Sequence, residues 1–348
     1  MKVGFDSRPA KDARGIGRYA RCLLEALIES DAVELTETHE PRRCDVFHSP
    51  WIDGALLRSP VPMVVTLHDL VPLKRRGEYL RSGIRFKLRY LAVQRAVRVI
   101  VPTKTLADDA ITLLEIPADR IRVIPEAVAP ALSVRSEAEV HKVRDHFKLP
   151  EDYLLWVGGL QTPDPRKRVA ALARASRTMP LVLVGATGRW SRELKDVTLT
   201  GIVTDDQLAA IYTGAHALVF PSDDEGFGLP PIEALACGTP VVASDVPALR
   251  EVLEGRATLV PVEDLDGLLA AAEAAHRPAP APPCWTWPEA AEATIEVYEE
   301  AQHAPAKWRG ARRHRARKAA GDGVSDRGAN ARAITEPTLV ARAIDDEA

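Results

Sequence analysis

The first 130 residues alternate short apolar runs with longer stretches whose apolar residues recur at helical spacing. Each short run is bounded by polar, glycine or proline residues, which is typical of a buried strand. The predicted strands are residues 2–6, 33–38, 45–49, 63–67, 98–103 and 121–127. The predicted helices between them are residues 17–30, 81–97 and 104–115. Strands that alternate with helices in this way indicate parallel β-α units.

A second series of the same kind follows a polar segment at residues 133–152. Its predicted strands are residues 153–159, 180–186, 198–203, 217–222, 240–244 and 257–262. The pattern therefore predicts two doubly wound, Rossmann-like α/β domains in tandem, residues 1–140 and residues 150–283. Two such domains face each other across a cleft at the carboxyl ends of their strands, where ligands of these folds bind.

The end of the chain changes in character. The Ala/Pro-rich stretch 276–283 predicts a linker, and residues 284–303 predict a closing amphipathic helix. Residues 304–348 are basic and lack a sustained apolar face, which predicts a disordered tail. A solvated tail is the favoured interpretation, and docking on acidic lipid head groups is the alternative.

Composition narrows the class of protein. The net charge of −3 over 348 residues gives no reason to expect a nucleic-acid partner. The four cysteines are scattered and form no C-x-x-C pair, so neither a zinc site nor a disulfide framework is expected, and a reducing cytoplasm fits best. The start of the chain does not resemble a signal peptide, and no apolar run approaches the roughly 20 residues that span a bilayer. We therefore expect a soluble, cytoplasmic protein.

The stretch EGFGLPPIEALACG (225–238) joins a predicted strand to a short helix that begins at a proline pair. The backbone N–H groups of such a loop suit an anionic or hydroxyl-rich ligand, and Gly226 and Gly228 would let that ligand approach closely. The carboxylates of Glu225 and Glu233 could accept paired hydrogen bonds from the hydroxyls of two sugar rings. The alternative is that Glu225 is a solvated loop residue and that Glu233 only favours the helix dipole.

The longer run EGFGLPPIEALACGTPVVAS (225–244) resembles the signature of retaining glycosyltransferases of family 4, which have the GT-B fold. The first domain contributes two similar stretches, GIGRYARCLLEAL (15–27) and VVTLHDLVPL (64–73), and the second contributes residues 157–175 and 200–222. The resemblance covers most of residues 1–301. One departure is that only about fifteen residues separate the first helix from the third strand, so the first domain is expected to be shortened.

The resemblance implies transfer of a hexose from a nucleotide diphosphate sugar with retention of the anomeric configuration. The residues that match catalytic positions are Glu225, His68, Arg166 and Lys167. The residues that match donor-binding positions are Gly15, Gly17, Asp69, Val203, Phe227, Gly228, Leu229 and Glu233.

Each role that the resemblance implies suits the chemistry of its side chain. Arg166 and Lys167 would stabilise the charge that develops on the leaving diphosphate. Glu225 would hold hydroxyls of the donor sugar, and Glu233 would hold the ribose hydroxyls. His68, followed by an aspartate at the predicted rim of the cleft, would contact the donor sugar or the acceptor hydroxyl.

Backbone groups complete the donor site that the resemblance implies. Phe227 and Gly228 would offer N–H groups near the sugar, and Gly15 and Gly17 would form a loop that closes on the diphosphate. The family favours front-face transfer, in which the leaving phosphate helps to remove the acceptor proton, so no protein base is assigned. Neither a metal nor a cofactor is expected.

The favoured donor is GDP-mannose, because the HDLVPL and PRK patterns are similar to those of mannosyl- and rhamnosyl-transferases of surface polysaccharide assembly. The acceptor would be a glycan or a lipid-linked glycan, handled at the cytoplasmic face of the membrane through a peripheral contact. One alternative is an epimerase or phosphorylase of the same fold, but epimerases generally lack this glutamate signature, and no pyridoxal-phosphate lysine context is found. Another alternative is a degenerate protein that binds sugar nucleotides without turnover.

Overall fold

The computed structural model describes residues 1–12, 15–74 and 83–304, and these residues form two six-stranded sheets. The strands of the first sheet are β1 (Lys2–Phe5), β2 (Glu34–Glu37), β3 (Val46–Ser49), β4 (Met63–Thr66), β5 (Arg98–Val101) and β6 (Ile121–Val123). The strands of the second sheet are β7 (Leu154–Val157), β8 (Leu181–Val184), β9 (Val197–Gly201), β10 (Ala217–Phe220), β11 (Val241–Ser244) and β12 (Thr258–Val260). Every strand predicted from the sequence is present.

The helices lie between the strands, as the alternating pattern predicts. The first domain contains α1 (Gly15–Glu29), α2 (Val71–Lys74), α3 (Gly83–Val93) and α4 (Lys104–Leu114). They are followed by α5 (Glu137–Phe147), α6 (Val169–Arg174), α7 (Asp205–Gly214), α8 (Leu229–Ala236), α9 (Pro247–Leu253), α10 (Leu265–Glu273) and α11 (Trp287–His303). Residues 81–82 of one predicted helix and the predicted tail beyond Ala304 lie outside the described residues.

All strand pairs in both sheets are parallel. The strand order is β2-β1-β3-β4-β5-β6 in the first sheet and β12-β11-β10-β7-β8-β9 in the second. The order therefore reverses between β1 and β3 in one sheet and between β7 and β10 in the other. Ligands of doubly wound folds bind at such switch points, beside the carboxyl ends of the strands. The prediction of two doubly wound α/β domains is confirmed.

One helix lies where the sequence indicates only a polar connection. Helix α5 occupies the middle of residues 133–152 and buries none of its side chains. The Ser136 hydroxyl accepts from the Glu139 N–H, and the Glu139 carboxylate accepts from the Ser136 N–H. This reciprocal capping box starts a helix without needing an apolar face, so the spacing of apolar residues could not reveal it.

The segment between α1 and β3 is fully described and contains one strand and no helix. That strand, β2, pairs with β1 from Lys2 opposite Glu34 to Phe5 opposite Glu37, and it forms the edge of the first sheet. The first domain thus has a complete six-stranded sheet although the connection from β2 to β3 is a short loop.

Helix α11 packs against the first domain. The Tyr298 hydroxyl lies 2.7 Å from Nδ1 of His48, which is buried in β3. The Glu300 carboxylate accepts from Arg98 Nε at 2.7 Å and from Arg122 Nη2 at 2.6 Å. These contacts attach the last described helix to β3, β5 and β6 of the first sheet. None of the described helices is both long enough and apolar enough to cross a membrane.

Candidate active site

Two loops of the second domain meet at its switch point. After β7 the chain runs to a single 3-10 turn, Pro165–Lys167, and after β10 it runs through residues 221–228 into α8. The backbone N–H of Asp223 donates to the carbonyl oxygen of Arg166 at 3.0 Å, which joins the two loops. The candidate site therefore lies where doubly wound folds bind their ligands.

Glu225 is a buried carboxylate between two cations. Lys167 Nζ lies 2.6 Å from Glu225 Oε1, and Arg166 Nη1 lies 3.5 Å from Glu225 Oε2. Burial alone would raise the pKa of Glu225, but the charges of Lys167 and Arg166 outweigh burial and lower it. Glu225 is therefore ionised at neutral pH, and the structure brings together three of the predicted catalytic residues.

Arg166 is oriented by carboxylates from both domains. Its Nε donates to Asp164 Oδ2 at 3.0 Å, and its Nη2 lies 3.8 Å from Asp69 Oδ2 in the first domain. Burial works against its charge, but the carboxylates of Glu225, Asp69 and Asp164 together raise the pKa of Arg166. Asp69, predicted to bind the donor, thus lies beside the predicted diphosphate-binding pair.

The two glycines of the loop 221–228 are required by close packing. A Cβ atom on Gly226 would overlap the carbonyl oxygen of His68, so only glycine allows the two domains to approach this closely here. Gly228 has a φ of 95°, and a Cβ atom there would lie 2.6 Å from Leu249 Cδ2. Thr103 Oγ1 donates to the carbonyl oxygen of Gly226 at 2.9 Å, which fixes the loop against the first domain.

Phe227 and Leu229 support this loop through buried side chains. The Phe227 ring lies 5.6 Å from the Trp285 ring, measured between centroids. Leu229 faces Gly15 of the first domain, where an added Cβ atom would lie 3.7 Å from Leu229 Cδ1. Because these side chains pack inward, any ligand contact of Phe227 and Leu229 would be made by their backbone, as the sequence prediction has it for Phe227.

Gly17 and Val203 have supporting positions. A Cβ atom on Gly17 would overlap the carbonyl oxygen of Asp12, so glycine is needed to pack α1 against the turn before it. Val203 is partly buried against the apolar cluster that spans both domains, two residues before α7 begins. Their predicted contacts with a donor stay predictions.

Both ring nitrogens of His68 are engaged within the protein. Nδ1 lies 2.9 Å from Glu126 Oε1, and Nε2 lies 2.9 Å from the Pro50 carbonyl oxygen. Since both partners are acceptors, the ring donates from both nitrogens only as an imidazolium. Burial opposes that charge, but the Glu126 carboxylate outweighs it and raises the pKa of His68. The predicted contact of the ring with donor or acceptor stays a prediction and would require one of these bonds to break.

Glu233 is also fully enclosed, with 4% of its side chain exposed. Its Oε1 accepts from Arg18 Nη1 at 2.8 Å, and its Oε2 accepts from the Tyr212 hydroxyl at 3.0 Å. Arg18 Nη2 also donates to Asp205 Oδ1 at 2.6 Å. Burial raises the pKa of Glu233, and its bonds to Arg18 and Tyr212 only partly oppose that rise.

The sequence did not reveal three of these partners, Arg18, Tyr212 and Glu126. Arg18 and Glu233 are 215 residues apart in the chain, and His68 and Glu126 are 58 apart. The one available signal for Arg18 is its position directly after the GIG run at the start of α1. No local pattern indicates which distant carboxylate such an arginine meets.

The arrangement combines donors for an anion with acceptors for hydroxyl groups. A guanidinium and an ammonium group lie together at the carboxyl ends of the strands, and both suit phosphate oxygens. The Glu225 carboxylate lies beside them, in the loop that leads into α8. Within residues 1–12, 15–74 and 83–304, no group of three or more His, Cys, Asp or Glu side chains is arranged to hold a metal ion.

The protein has the GT-B class of fold, with two doubly wound domains in tandem and the loop 221–228 at the switch point of the second domain. Residues 151–277 match the family model described as glycosyl transferases group 1, and residues 14–132 match that of glycosyltransferase family 4. The chain therefore belongs to glycosyltransferase family 4. The family resemblance read from residues 225–244 is confirmed.

The relatives with known activities include mannosyltransferases. The serotype-specific mannosyltransferase WbdA of Escherichia coli is 29% identical over 219 residues, which cover 56% of this chain and 26% of WbdA. The O-antigen chain mannosyltransferase B of Escherichia coli is 30% identical over 249 residues, which cover 65% of this chain and 63% of that protein. The chain thus spans about a quarter of the first relative and less than two thirds of the second.

Among solved structures, HepE of Anabaena in complex with UDP-glucose superposes with a TM-score of 0.61. The superposition covers 86% of this chain and 95% of HepE at 16% sequence identity. At this identity the likeness establishes a shared fold.

Proposed function

We propose that this protein is a retaining, metal-independent glycosyltransferase that moves a hexose from a nucleotide diphosphate sugar to a glycan or lipid-linked acceptor. The observation that carries the proposal is the buried Glu225 carboxylate, paired with Lys167 at 2.6 Å beside Arg166 at the switch point. A sugar nucleotide presents an anionic diphosphate next to sugar hydroxyls, and this pair of cations beside a carboxylate complements both parts.

The roles of the charged residues follow from their contacts. Lys167 and Arg166 would move from Glu225 towards the diphosphate and stabilise the charge that builds on it as the glycosidic bond breaks. Glu225, released from part of this pairing, would accept hydrogen bonds from the donor sugar. Because the two cations supply the positive charge that a metal provides in other transferases, the proposed mechanism is metal-independent.

The proposed transfer occurs on the front face of the sugar. The leaving phosphate oxygen takes the proton of the acceptor hydroxyl, and the new glycosidic bond forms on the side from which the diphosphate leaves. His68 bonds to Glu126 and Pro50 and so holds the loop that carries Asp69 beside Arg166. In this proposal His68 positions that loop and is not the general base.

We propose GDP-mannose as the favoured donor and transfer at the cytoplasmic face of a membrane. Support for mannose comes from the two mannosyltransferase relatives, one of which builds O-antigen chains. HepE, which shares the fold, binds UDP-glucose, so a donor screen includes both nucleotides and both sugars.

The first test is ligand binding, measured as thermal stability with GDP, UDP, GDP-mannose and UDP-glucose. A ligand that binds only the folded protein at a hundredfold excess over its Kd adds about 2.7 kcal/mol of stability. We expect one nucleotide series to raise Tm by several degrees. We expect Lys167→Gln to weaken this binding about tenfold or more, because a charge-assisted bond to phosphate is lost.

Lys142→Gln is the matched control, since Lys142 is exposed on α5, which carries none of the residues of the candidate site. It should bind the nucleotide like the unaltered protein. Folded protein that shows no shift with any of the four ligands would contradict the proposal.

A second candidate function is binding of sugar nucleotides without turnover. It is favoured by the short connection between β2 and β3, where the first domain has no helix among residues 30–45. Nucleotide binding without any hydrolysis or transfer of the bound sugar would support this function, and detectable turnover would exclude it.

A further inference from the structure

Arg18 belongs to the first domain but binds two carboxylates of the second. It lies in the first turns of α1, and its guanidinium donates to Glu233 at 2.8 Å and to Asp205 at 2.6 Å. The side chain of Arg18 is 9% exposed and that of Glu233 is 4% exposed, whereas Asp205 lies at the rim with 40% exposed. The ion pair between Arg18 and Glu233 is therefore buried between the two domains.

The two carboxylate oxygens of Glu233 accept hydrogen bonds from different domains. Oε2 accepts from Tyr212, which belongs to the same domain and stays beside Glu233 however the domains move. Oε1 accepts from Arg18 across the domain boundary. A separation of the domains would therefore free Oε1 and leave the bond to Tyr212 intact.

We propose that Arg18 is an internal competitor of the donor: it occupies the Glu233 oxygen that a ribose hydroxyl would use, and donor binding breaks this ion pair. The inference rests on the proposed function and on the role that the family resemblance implies for Glu233, which is to hold the ribose hydroxyls of the donor. An arginine N–H and a ribose O–H are both donors to the same carboxylate oxygen, so they compete for it. With Glu233 enclosed by Arg18 and Tyr212, a ribose reaches it only after Arg18 has moved.

This competition makes Arg18 a residue that sets donor affinity. The apparent Kd of a ligand equals its intrinsic Kd divided by the fraction of protein in the competent state. An arginine that holds two carboxylates of the opposite domain lowers that fraction in the empty protein. If Arg18 is removed, Glu233 loses one of its two partners while it is still buried between the domains. The free-energy cost therefore falls on the state in which the domains are together, and not on the state that binds the donor.

Two further contacts between the domains, within the part of the chain that the structure describes, involve residues other than Glu233. Lys74 lies 3.1 Å from Asp224, and the backbone N–H groups of Lys104 and Thr105 donate to Glu251 of α9. They hold the domains together at the rim of the interface. Arg18 is thus distinguished from them by its direct bond to the carboxylate assigned to the ribose.

The test is calorimetric titration of the full chain with GDP and UDP. We expect Arg18→Gln to bind the preferred nucleotide about fivefold or more tightly than the unaltered protein. We expect Asp205→Asn to tighten binding by a smaller factor, because it removes only the outer anchor of Arg18. Arg21→Gln is the matched control: Arg21 lies on the same helix and bonds to the carbonyl groups of Ala10 and Asp12 in its own domain. It should leave the Kd unchanged.

Unchanged nucleotide binding by Arg18→Gln would show that Arg18 does not compete with the donor, and weaker binding would show that it supports the donor site; either result would overturn the inference. If Arg18→Gln does not fold, as shown by the lack of a cooperative thermal transition, the Kd of Asp205→Asn is used in its place. Tighter nucleotide binding by Asp205→Asn supports the inference, and unchanged or weaker binding overturns it. Nucleotide binding by Glu233→Gln distinguishes failure of this inference from failure of the function on which it rests. Glu233→Gln that binds nucleotide as well as the unaltered protein would refute the ribose assignment and the inference with it. Weakened binding by Glu233→Gln together with unchanged binding by Arg18→Gln would refute the competition alone.

Discussion

At the scale of single residues, the central feature is a carboxylate that stays ionised although it is buried. Glu225 is 8% exposed, and its charge is sustained by Lys167 at 2.6 Å and Arg166 at 3.5 Å. A buried ion pair adds little net stability, but removal of one partner leaves an uncompensated charge. The pairing is therefore better understood as a prepared site than as a source of stability.

We expect Lys167→Met to lower the free energy of unfolding by about 2–3 kcal/mol, somewhat less than for a buried pair with no second cation, because Arg166 remains. Adding Glu225→Gln to this variant should restore much of that loss, since no buried charge is then stranded. Urea denaturation of the two single variants and the double variant measures the coupling between the residues. Additive losses would mean that the two side chains do not interact in solution.

At the scale of elements, the start of α1 requires glycine at one position and has room for a side chain at another. A Cβ atom on Gly17 would overlap the Asp12 carbonyl oxygen, whereas a Cβ atom on Gly15 would lie 3.7 Å from Leu229 at ordinary contact distance. The two positions are two residues apart in one helix, so they form a natural pair for comparison.

We expect Gly17→Ala to destabilise the protein by about 1–3 kcal/mol, the range for overpacking, and Gly15→Ala to change stability by less than about 1 kcal/mol. Thermal denaturation of both variants under one condition tests this. Equal losses at the two positions would show that the turn before α1 can shift to make room.

The attachment of α11 depends on a neutral histidine. Burial lowers the pKa of His48 from 6.5 to about 3, and the ring bonds to Tyr298 and Thr66. Between these two pH values the unfolded chain binds a proton that the folded protein excludes. Stability that His48 provides is therefore complete above about pH 6.5 and is lost as the pH falls towards 3.

We expect His48→Gln to reduce the acid sensitivity of folding, since an amide bonds to Tyr298 and Thr66 without titrating. The unaltered protein should lose up to about 1.4 kcal/mol more per pH unit than this variant below pH 6.5. Urea denaturation between pH 7 and pH 5 measures the difference. The control is His216→Gln, a histidine of the second domain whose Nε2 lies 3.1 Å from the Glu273 carbonyl oxygen. Parallel pH profiles for His48→Gln and the unaltered protein would contradict the assignment.

The sequence predicts elements better than it predicts their partners. The edge strand β2 is mostly exposed, but inner strands such as β8 and β10 follow from apolar runs, because strands covered on both faces need continuous apolar residues. Helix α5 does not, since it is stabilised by the Ser136 cap and buries no side chain. Glu225, Arg166 and Lys167 are predicted through the family resemblance of residues 225–244 and 157–175. The bond between Arg18 and Glu233 joins residues 215 apart and depends on how two domains meet, which local patterns do not encode.

At the scale of the whole molecule, the described chain consists of two domains that touch through their candidate ligand site. Asp69 approaches Arg166, Thr103 bonds to Gly226, and Arg18 bonds to Glu233, so the loops assigned to the donor also join the domains. A donor that enters this site would replace contacts between the domains with contacts to itself. Donor binding and domain opening are therefore expected to be coupled.

The most direct test of the account is turnover of sugar nucleotides by the purified protein. The protein is incubated with GDP-mannose or UDP-glucose, with and without a lipid-linked glycan acceptor, and release of GDP or UDP is measured. The account predicts transfer, or slow donor hydrolysis without acceptor, that falls about a hundredfold or more in Glu225→Gln, while Lys142→Gln stays active. The account would be contradicted by protein that binds a sugar nucleotide but releases no GDP or UDP from it, with or without acceptor.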